Sequence, residues 1–147
     1  MITYFSNSTA ETEAFAARIA KYLHSGSVVA FFGGLGAGKT AFTRGLAKGL
    51  QIDCDVSSPT FTIVNDYGGN PPLVHFDMYK VESWEDLYSS GFFDYLDMGA
   101  VLAVEWSENI ENALPEETVR VTIEKGDSEN SRIIKVEGID IDEDFGN

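Results

Sequence analysis

Two stretches of the chain are apolar without interruption. One runs from Val28 to Phe32, and the other runs from Val101 to Val104 and ends in Glu105. Because neither stretch alternates with polar residues, each is typical of a strand that is buried on both faces. Residues 73–80 alternate instead, which predicts a strand with Val74, Phe76 and Met78 on one side and His75, Asp77 and Tyr79 on the other.

Helices are predicted where apolar residues recur at three- and four-residue spacing. The first covers residues 6–23, where Ser8 and Glu11 form a capping-box pattern and the apolar stripe consists of Phe15, Ile19 and Leu23. The second begins near Gly38 or Lys39 and runs to about Leu50. A third, within residues 83–97, is broken near Gly91.

The remaining segments complete an α/β pattern. A strand is predicted over Phe61–Tyr67, and residues 119–138 are expected to form a hairpin in which Val119, Val121 and Ile123 face Ile133 and Val136. Helices that alternate with apolar strands predict one domain over residues 1–137, with a largely parallel central sheet flanked by helices and an antiparallel edge hairpin. The acidic tail, residues 138–147, is expected to fray.

Composition limits the class of protein and the cellular compartment that are expected. Hydrophobic residues make up 44% of the 147, enough for the core of one compact domain. No apolar run approaches the ~18 residues that span a bilayer, and the first residues lack the pattern of a secretion signal. The single cysteine, Cys54, excludes an internal disulfide and is interpreted as an ordinary small residue. A reducing, cytoplasmic setting is therefore expected.

The formal net charge of −14 is unevenly distributed. Residues 1–50 carry a net +3, residues 51–110 a net −10 and residues 111–147 a net −7. So acidic a surface repels a phosphate backbone, so strong direct binding to nucleic acid is not expected, and neither is a membrane partner. The positive sector coincides with a glycine-rich stretch that suits an anionic ligand.

That stretch has the P-loop pattern Gly33-x-x-x-x-Gly38-Lys39-Thr40. Glycines let the backbone approach a triphosphate with its N–H groups directed at oxygen, and the start of the following helix adds a positive dipole end. Lys39 suits the β- and γ-phosphates, and the Thr40 hydroxyl suits the magnesium ion that bridges them. The segment between a buried strand and a helix is where such a loop belongs.

Further candidates lie at strand ends and in the loop before residue 61. No Asn-Lys-x-Asp element for guanine is present, so ATP is favoured over GTP. Glu105 and Asp77 each close a predicted strand and are candidates for a magnesium-binding carboxylate, although either alone could be a solvated strand end. Thr60, in Ser57–Thr60, could sense a γ-phosphate or belong to an ordinary proline turn.

Two aromatic residues near these strand ends are given structural interpretations. His75 is interpreted as a hydrogen-bonded core histidine rather than a metal ligand, since no second histidine or cysteine lies nearby in sequence. For Trp106, packing in the core is favoured over contact with a base or a partner.

Taken together, the motifs resemble the TsaE (YjeE) family, small bacterial P-loop ATPases required for threonylcarbamoyladenosine formation in tRNA. The resemblance spans about residues 12–132 and is carried by GLGAGKTAFTRGLAKGL, VSSPTFTIVNDY, HFDMYK, GFFDYL, VEWSEN and LPEE. Three positions depart from the family pattern: Gly34 replaces aspartate, Lys80 replaces arginine and Ser107 replaces proline. Lysine at position 80 keeps the charge but loses the bidentate fork of arginine.

The resemblance implies a set of site residues. Mg²⁺ and ATP would be bound at Gly34, Leu35, Gly36, Ala37, Gly38, Lys39, Thr40 and Ala41. Thr40 and Glu105 would ligate the metal, and Asp77 would lie at the metal and, with Thr60, beside the γ-phosphate. Lys39, Thr60, Asp77 and Glu105 would then be the catalytic set, and Ser8 and Thr12 would lie near the adenine.

The resemblance also implies a slow ATPase that drives the cycle of a threonylcarbamoyltransferase subunit and its paralogous companion subunit, in the modification of tRNAs that read ANN codons. The chain has four arginines and no arginine-rich lid, so partner activation is expected. A small-molecule P-loop kinase remains an alternative, although the chain is short for an acceptor pocket and a mobile lid. A third possibility is a binding module that uses ATP only to hold its shape.

Overall fold

The computed structural model describes residues 1–32, 36–54, 56 and 64–139, without the side chains of residues 36 and 37. The strands are β1 (Ile2–Ser6), β2 (Val28–Phe32), β3 (Val64–Gly69), β4 (Pro72–Asp77), β5 (Val101–Glu105), β6 (Val119–Lys125) and β7 (Arg132–Glu137). The helices are α1 (Thr9–Ala20), α2 (Gly36–Gly49), α3 (Trp84–Ser89), α4 (Phe92–Asp97) and a 3₁₀ helix, Ser107–Ala113.

The seven strands form one mixed sheet in the order β1-β7-β6-β2-β5-β4-β3. Its centre is parallel, because β2 pairs with β6 and β5, and β5 pairs with β4. Both edges are antiparallel: β1-β7-β6 on one side and β3-β4 on the other. The predicted α/β class with a parallel centre is therefore confirmed, with antiparallel pairing at two edges.

Each face of the sheet carries its own apolar layer. On one face α1 and α2 pack with Val29, Phe31 and Ala103. On the other, residues of α3 and α4 pack with Val74, Phe76 and Met78. The predicted alternation of β4 is confirmed, since His75 is fully buried outside that second layer. By the two-residue period of a strand, His75, Asp77 and Glu105 share the face covered by α1 and α2.

The capping pattern at the start of α1 is confirmed. Ser8 is the N-cap, and its hydroxyl accepts a hydrogen bond from the backbone N–H of Glu11 at 3.1 Å. The Glu11 carboxylate accepts in return from the backbone N–H of Asn7, at 3.3 Å, one residue before the cap. The break between α3 and α4 also lies where the sequence predicts it, at Gly91, whose φ is +89°.

Three expectations need correction. The short edge strand β1 was not predicted, because its five residues precede a strong helix cap and Phe5 is 67% exposed. In the β6–β7 hairpin, Ile134 rather than Ile133 is the buried residue and pairs with Ile123, whereas Ile133 pairs with Glu124. A one-residue shift in register moves a side chain to the other face. The helix α2 begins at Gly36, earlier than expected.

Some expectations fall outside the described residues. These are the first three residues of the strand predicted at Phe61–Tyr67 and most of the acidic tail, whose predicted fraying stays a prediction. Within the described part of the chain, no helix is both long enough and apolar enough to cross a membrane.

Candidate functional site

The site lies where neighbouring parallel strands end. The carboxyl ends of β2, β5 and β4 meet at one edge of the sheet, where open α/β sheets bind their ligands. Asp77 and Glu105 are paired in register as the last residues of β4 and β5. The glycine-rich segment follows directly after Phe32, the last residue of β2. Gly33, Gly34, Leu35 and Thr60 are outside the described residues.

Lys39 belongs to the second turn of α2 and is almost inaccessible, with 2% of its surface exposed. Its Nζ lies 5.7 Å from the centroid of the Trp106 ring, which places the ammonium group beside the residue that follows Glu105. Gly38 is held against Ile123 of β6, and an added Cβ would come within 2.7 Å of the isoleucine methyl group. The fold therefore packs this end of α2 closely onto the sheet.

Glu105 is buried, with 5% of its surface exposed. Its Oε2 lies 2.7 Å from Nε2 of His75, and Nδ1 of His75 lies 3.2 Å from the Tyr67 hydroxyl. His75 is thus the hydrogen-bonded core histidine that the sequence predicts, and its partner is a predicted site residue. Residue spacing gave no sign of this contact, because His75 and Glu105 are brought together by strand pairing.

Asp77, which pairs with Glu105 across β4 and β5, and Thr40, which follows Lys39 in α2, are the other described site candidates. Asp77 is half-buried, and its Oδ1 accepts a hydrogen bond from the backbone N–H of Tyr79 at 2.9 Å. Thr40 is half-buried and follows Lys39 in α2. The loops after β4 and β5 are joined by Asn109, whose Nδ2 donates to the carbonyl oxygen of Met78 at 2.8 Å.

Trp106 does not pack in the core, contrary to expectation. It is 37% exposed, and its φ of +59° turns the chain sharply at the end of β5. This turn sets the indole edge-to-face with Tyr79, at a centroid distance of 5.0 Å, and near Lys39. The tryptophan is therefore part of the surface around the site.

Ser8 and Thr12 lie beside the helix α2, and their expected contact with an adenine stays a prediction. Together they line a small pocket of about 40 Å³ whose wall consists of Ser8, Thr9, Thr12, Gly38, Ala41, Asn130 and Arg132. The Thr12 hydroxyl is 2.7 Å from that of Ser6. Sequence reasoning did not place Asn130 and Arg132 here, because they come from the β6–β7 turn and the start of β7, about 120 residues after Ser8 in the chain.

The donor set can be compared with the needs of Mg²⁺. Within the residues that the structure describes, no three His, Cys, Asp or Glu side chains are grouped to hold a metal by themselves. Magnesium beside a nucleotide usually takes one or two carboxylates or a hydroxyl and completes its octahedron with phosphate and water. The oxygen donors of Thr40, Glu105 and Asp77 fit that requirement.

Comparison with known proteins identifies close relatives. A family model described as "Threonylcarbamoyl adenosine biosynthesis protein TsaE" matches residues 6–134. The tRNA threonylcarbamoyladenosine biosynthesis protein TsaE of Bacillus subtilis is 44% identical over 122 residues, which are 81% of this chain and 75% of that one. Its counterpart in Treponema pallidum is 38% identical over 118 residues, 80% of this chain and 87% of that one.

A solved structure agrees with these sequence relatives. The crystal structure of Bacillus subtilis YdiB superposes with a TM-score of 0.73 at 34% identity, covering 90% of this chain and 82% of that one.

Proposed function

Because the chain belongs to the TsaE family, with the P-loop NTPase fold of that family and its role in tRNA threonylcarbamoyladenosine biosynthesis, we propose that it binds Mg²⁺ and ATP and hydrolyses ATP slowly. Hydrolysis would drive the cycle of a threonylcarbamoyltransferase complex made of the transferase subunit and its paralogous companion. The chain would not form the modified base itself.

The observation that supports this proposal best is the position of Lys39. The lysine of the P-loop pattern lies beside the turn that follows Glu105, although the two residues are 66 positions apart in sequence. A lysine for phosphate oxygens and a carboxylate at the end of the adjacent parallel strand are the two charged parts that P-loop NTPases require.

Each side chain has a defined task in the proposal. Backbone N–H groups from Gly34 to Ala41 and the ammonium group of Lys39 bind the phosphates. Thr60 and Asp77 lie beside the γ-phosphate and orient the attacking water. The pocket edge at Ser8 and Thr12 contacts the adenine, which its shared wall with Gly38 and Ala41 supports.

Thr40, Glu105 and Asp77 would hold the magnesium ion. When bound, Mg²⁺ supplies neutralisation of the charge on the β- and γ-phosphate oxygens. The Glu105 carboxylate is kept out of bulk water by its burial, which strengthens its electrostatic interactions.

Partner activation is proposed from the contacts of the arginines. Of the four, Arg44 is ion-paired with Glu13 at 3.3 Å and Arg120 with Glu111 at 3.4 Å. Arg132 lines the pocket beside Ser8, and its Nη1 donates to the backbone carbonyl oxygens of Glu129 and Ser131. Charge that develops on the transferred phosphoryl group is normally met by an arginine supplied in cis or in trans. A partner that supplies such a group would raise the rate, so turnover by the isolated chain is expected to be weak.

The experiment measures ATP hydrolysis by the purified chain with and without the two transferase subunits, with modification of unmodified tRNA assayed in parallel. We expect a low basal rate, a clear increase with both subunits, and tRNA modification that requires all components. Equal rates in the two conditions would contradict partner activation. Phosphoryl transfer to a nucleoside or small alcohol would instead favour the kinase alternative.

A further inference from the structure

A chain of hydrogen bonds crosses three adjacent strands behind the site. It runs from the Tyr67 hydroxyl on β3 to Nδ1 of His75 on β4, at 3.2 Å, and from Nε2 of His75 to Oε2 of Glu105 on β5, at 2.7 Å. The His75 side chain is fully buried and that of Glu105 is 6% exposed. The function proposed above uses Glu105 but gives no task to Tyr67 or His75.

The three groups determine one another's donor and acceptor roles. A carboxylate can only accept, so Nε2 of His75 carries a hydrogen and donates it to Glu105. In the neutral imidazole Nδ1 is then an acceptor, which suits the hydroxyl of Tyr67 as donor. Each of the three side chains thus has a hydrogen-bond partner on the neighbouring strand, and such a connected network holds its side chains in one arrangement.

The carboxylate is held at one oxygen only. In the described structure, the second oxygen of Glu105, Oε1, makes no hydrogen bond. Among the described residues no buried side-chain oxygen or nitrogen lacks a hydrogen-bond partner, so Oε1 lies at the accessible end of an otherwise buried side chain. The accessible oxygen is therefore the one that can reach a ligand, while the other is held by His75.

We propose that His75 and Tyr67 are positioning residues for Glu105. They hold Oε2 and thereby fix the rotamer that leaves Oε1 available to the magnesium ion or to a water on it. This inference rests on the proposed function and adds to it a fixed orientation of the carboxylate, imposed from the neighbouring strands. Outer partners of this kind typically change metal affinity by about 10–100-fold when they are removed.

The location of Tyr67 gives the network a second consequence. The strand β3 follows directly after residues 57–63 in the chain, the segment that contains Thr60. The network thus connects the strand that follows the Thr60 segment to the carboxylate of β5.

The test measures nucleotide affinity rather than turnover. Calorimetry gives the dissociation constant of a non-hydrolysable ATP analogue with Mg²⁺ and with a chelator, and the ratio of the two is the gain due to magnesium. For His75→Ala we expect this gain to fall by roughly tenfold, with little change in the affinity measured in chelator. Tyr67→Phe, which removes one hydroxyl, should lower the gain by about 2- to 5-fold.

Two further variants separate positioning from loss of packing. His75→Gln retains an N–H donor and should recover part of the gain that His75→Ala loses. Tyr88→Phe removes a hydroxyl from a tyrosine that is 64% exposed on α3, and it should match the wild type. Thermal unfolding of each variant shows which of them are folded.

The outcomes are distinct. The positioning role would be overturned if Tyr67→Phe, His75→Gln and His75→Ala all fold and all keep the full wild-type gain due to magnesium. That result would leave the proposed function intact. If His75→Ala does not fold, Tyr67→Phe decides by itself. A wild-type chain whose ATP affinity does not respond to Mg²⁺ would overturn the proposed function and this inference together.

Discussion

Lys39 and Glu105 are ionisable side chains that the fold removes almost completely from water. Their exposed fractions are 2% and 5%. Burial of charge is expensive unless it is compensated, and here an indole face lies 5.7 Å from the ammonium group and an imidazole donates to the carboxylate. Each of the two buried groups therefore has a polar or aromatic contact within the fold, in a site where bound phosphates would interact strongly.

Replacement of Thr40 by alanine tests the proposed metal ligand. We expect Mg²⁺-dependent binding of ATP to weaken by roughly tenfold, because a hydrogen-bond or ligand contact to a charged group is worth ~1.5–3 kcal/mol. Calorimetry with and without chelator measures the effect, and Thr40→Ser, which keeps the hydroxyl, is the control. An unchanged affinity in the presence of Mg²⁺ would remove Thr40 from the metal site.

Replacement of Glu105 by alanine should separate chemistry from binding. We expect hydrolysis to fall by roughly 10²- to 10³-fold, the range found when a charge-stabilising group is lost, and affinity for ATP to fall much less. Single-turnover hydrolysis and calorimetry give the two quantities. Glu108→Gln, an exposed carboxylate three residues on, is the matched control; if both variants hydrolysed ATP equally well, Glu105 would have no catalytic task.

At the scale of elements, the P-loop helix is positioned by close contact with α1. Gly45 and Gly49 face the backbone of α1, and an added Cβ on Gly45 would lie 2.2 Å from the carbonyl oxygen of Glu13. The same glutamate is ion-paired with Lys48 at 2.6 Å and with Arg44 at 3.3 Å. Small residues and one acidic anchor thus fix the two helices on the sheet.

Gly45→Ala tests the packing of α2 against α1, because close packing and helix propensity predict opposite changes in the free energy of unfolding. In an open helix the change would stabilise the protein by about 0.5–1 kcal/mol, because alanine is the better helix former. Here we expect a loss of ~1–3 kcal/mol, since the new methyl group has no space. Denaturant unfolding measures it, and a more stable variant would show that the helices are not in contact.

Glu13→Gln tests the ion pairs of Glu13 with Lys48 and Arg44 through the pH dependence of the free energy of unfolding. Burial raises the pKa of the Glu13 carboxyl, but the hydrogen bonds and charges of Lys48 and Arg44 outweigh it and hold that pKa below its ordinary value. The stability that the carboxylate contributes is therefore complete above the unfolded-state pKa of ~4.3 and is lost as the pH falls through the lower folded-state pKa.

The measurement is the difference in free energy of unfolding between the wild type and Glu13→Gln from pH 7 to pH 3. We expect a constant difference near neutral pH that shrinks below about pH 4.3. Glu116→Gln, an exposed carboxylate in the loop before β6, should show no such trend. A difference that grows with acidity would contradict the assigned direction of the pKa.

At the scale of the whole molecule, charge is segregated along the chain. The first fifty residues, which contain α1, β2 and α2, carry a net +3, and the rest of the chain carries a net −17. An anionic nucleotide is accommodated in the positive part, whereas an extended polyanion would meet the acidic remainder. The chemistry of the pathway acts on tRNA, so partner proteins are expected to make the main contacts with it.

The isolated chain should therefore not bind tRNA strongly. We expect no complex with unmodified tRNA at micromolar protein concentration and physiological salt, where nonspecific binding even by basic proteins is only ~10⁻⁴–10⁻⁶ M. Filter binding or a mobility shift measures this, with the complete transferase assembly as the positive control. A salt-sensitive complex formed by the chain alone would refute the charge argument.

Local patterns in the sequence were sufficient for several features of the fold. Uninterrupted apolar runs located β2 and β5, alternation located β4 and its two faces, and Ser8 with Glu11 located the start of α1. These features are set by neighbours in the chain, because strand and helix periodicity decide which side chains meet the core. The P-loop pattern and the carboxylates at strand ends are local for the same reason.

Other features depend on contacts between residues that are distant in sequence. The pairing of β1 with β7, the contact of His75 with Glu105 and the placement of Arg132 beside Ser8 all follow from strand order and register. A local pattern does not contain that order, since any buried strand can pair with several others. The exposure of Trp106 is a fourth case, because a left-handed turn at the end of β5 directs its ring away from the core.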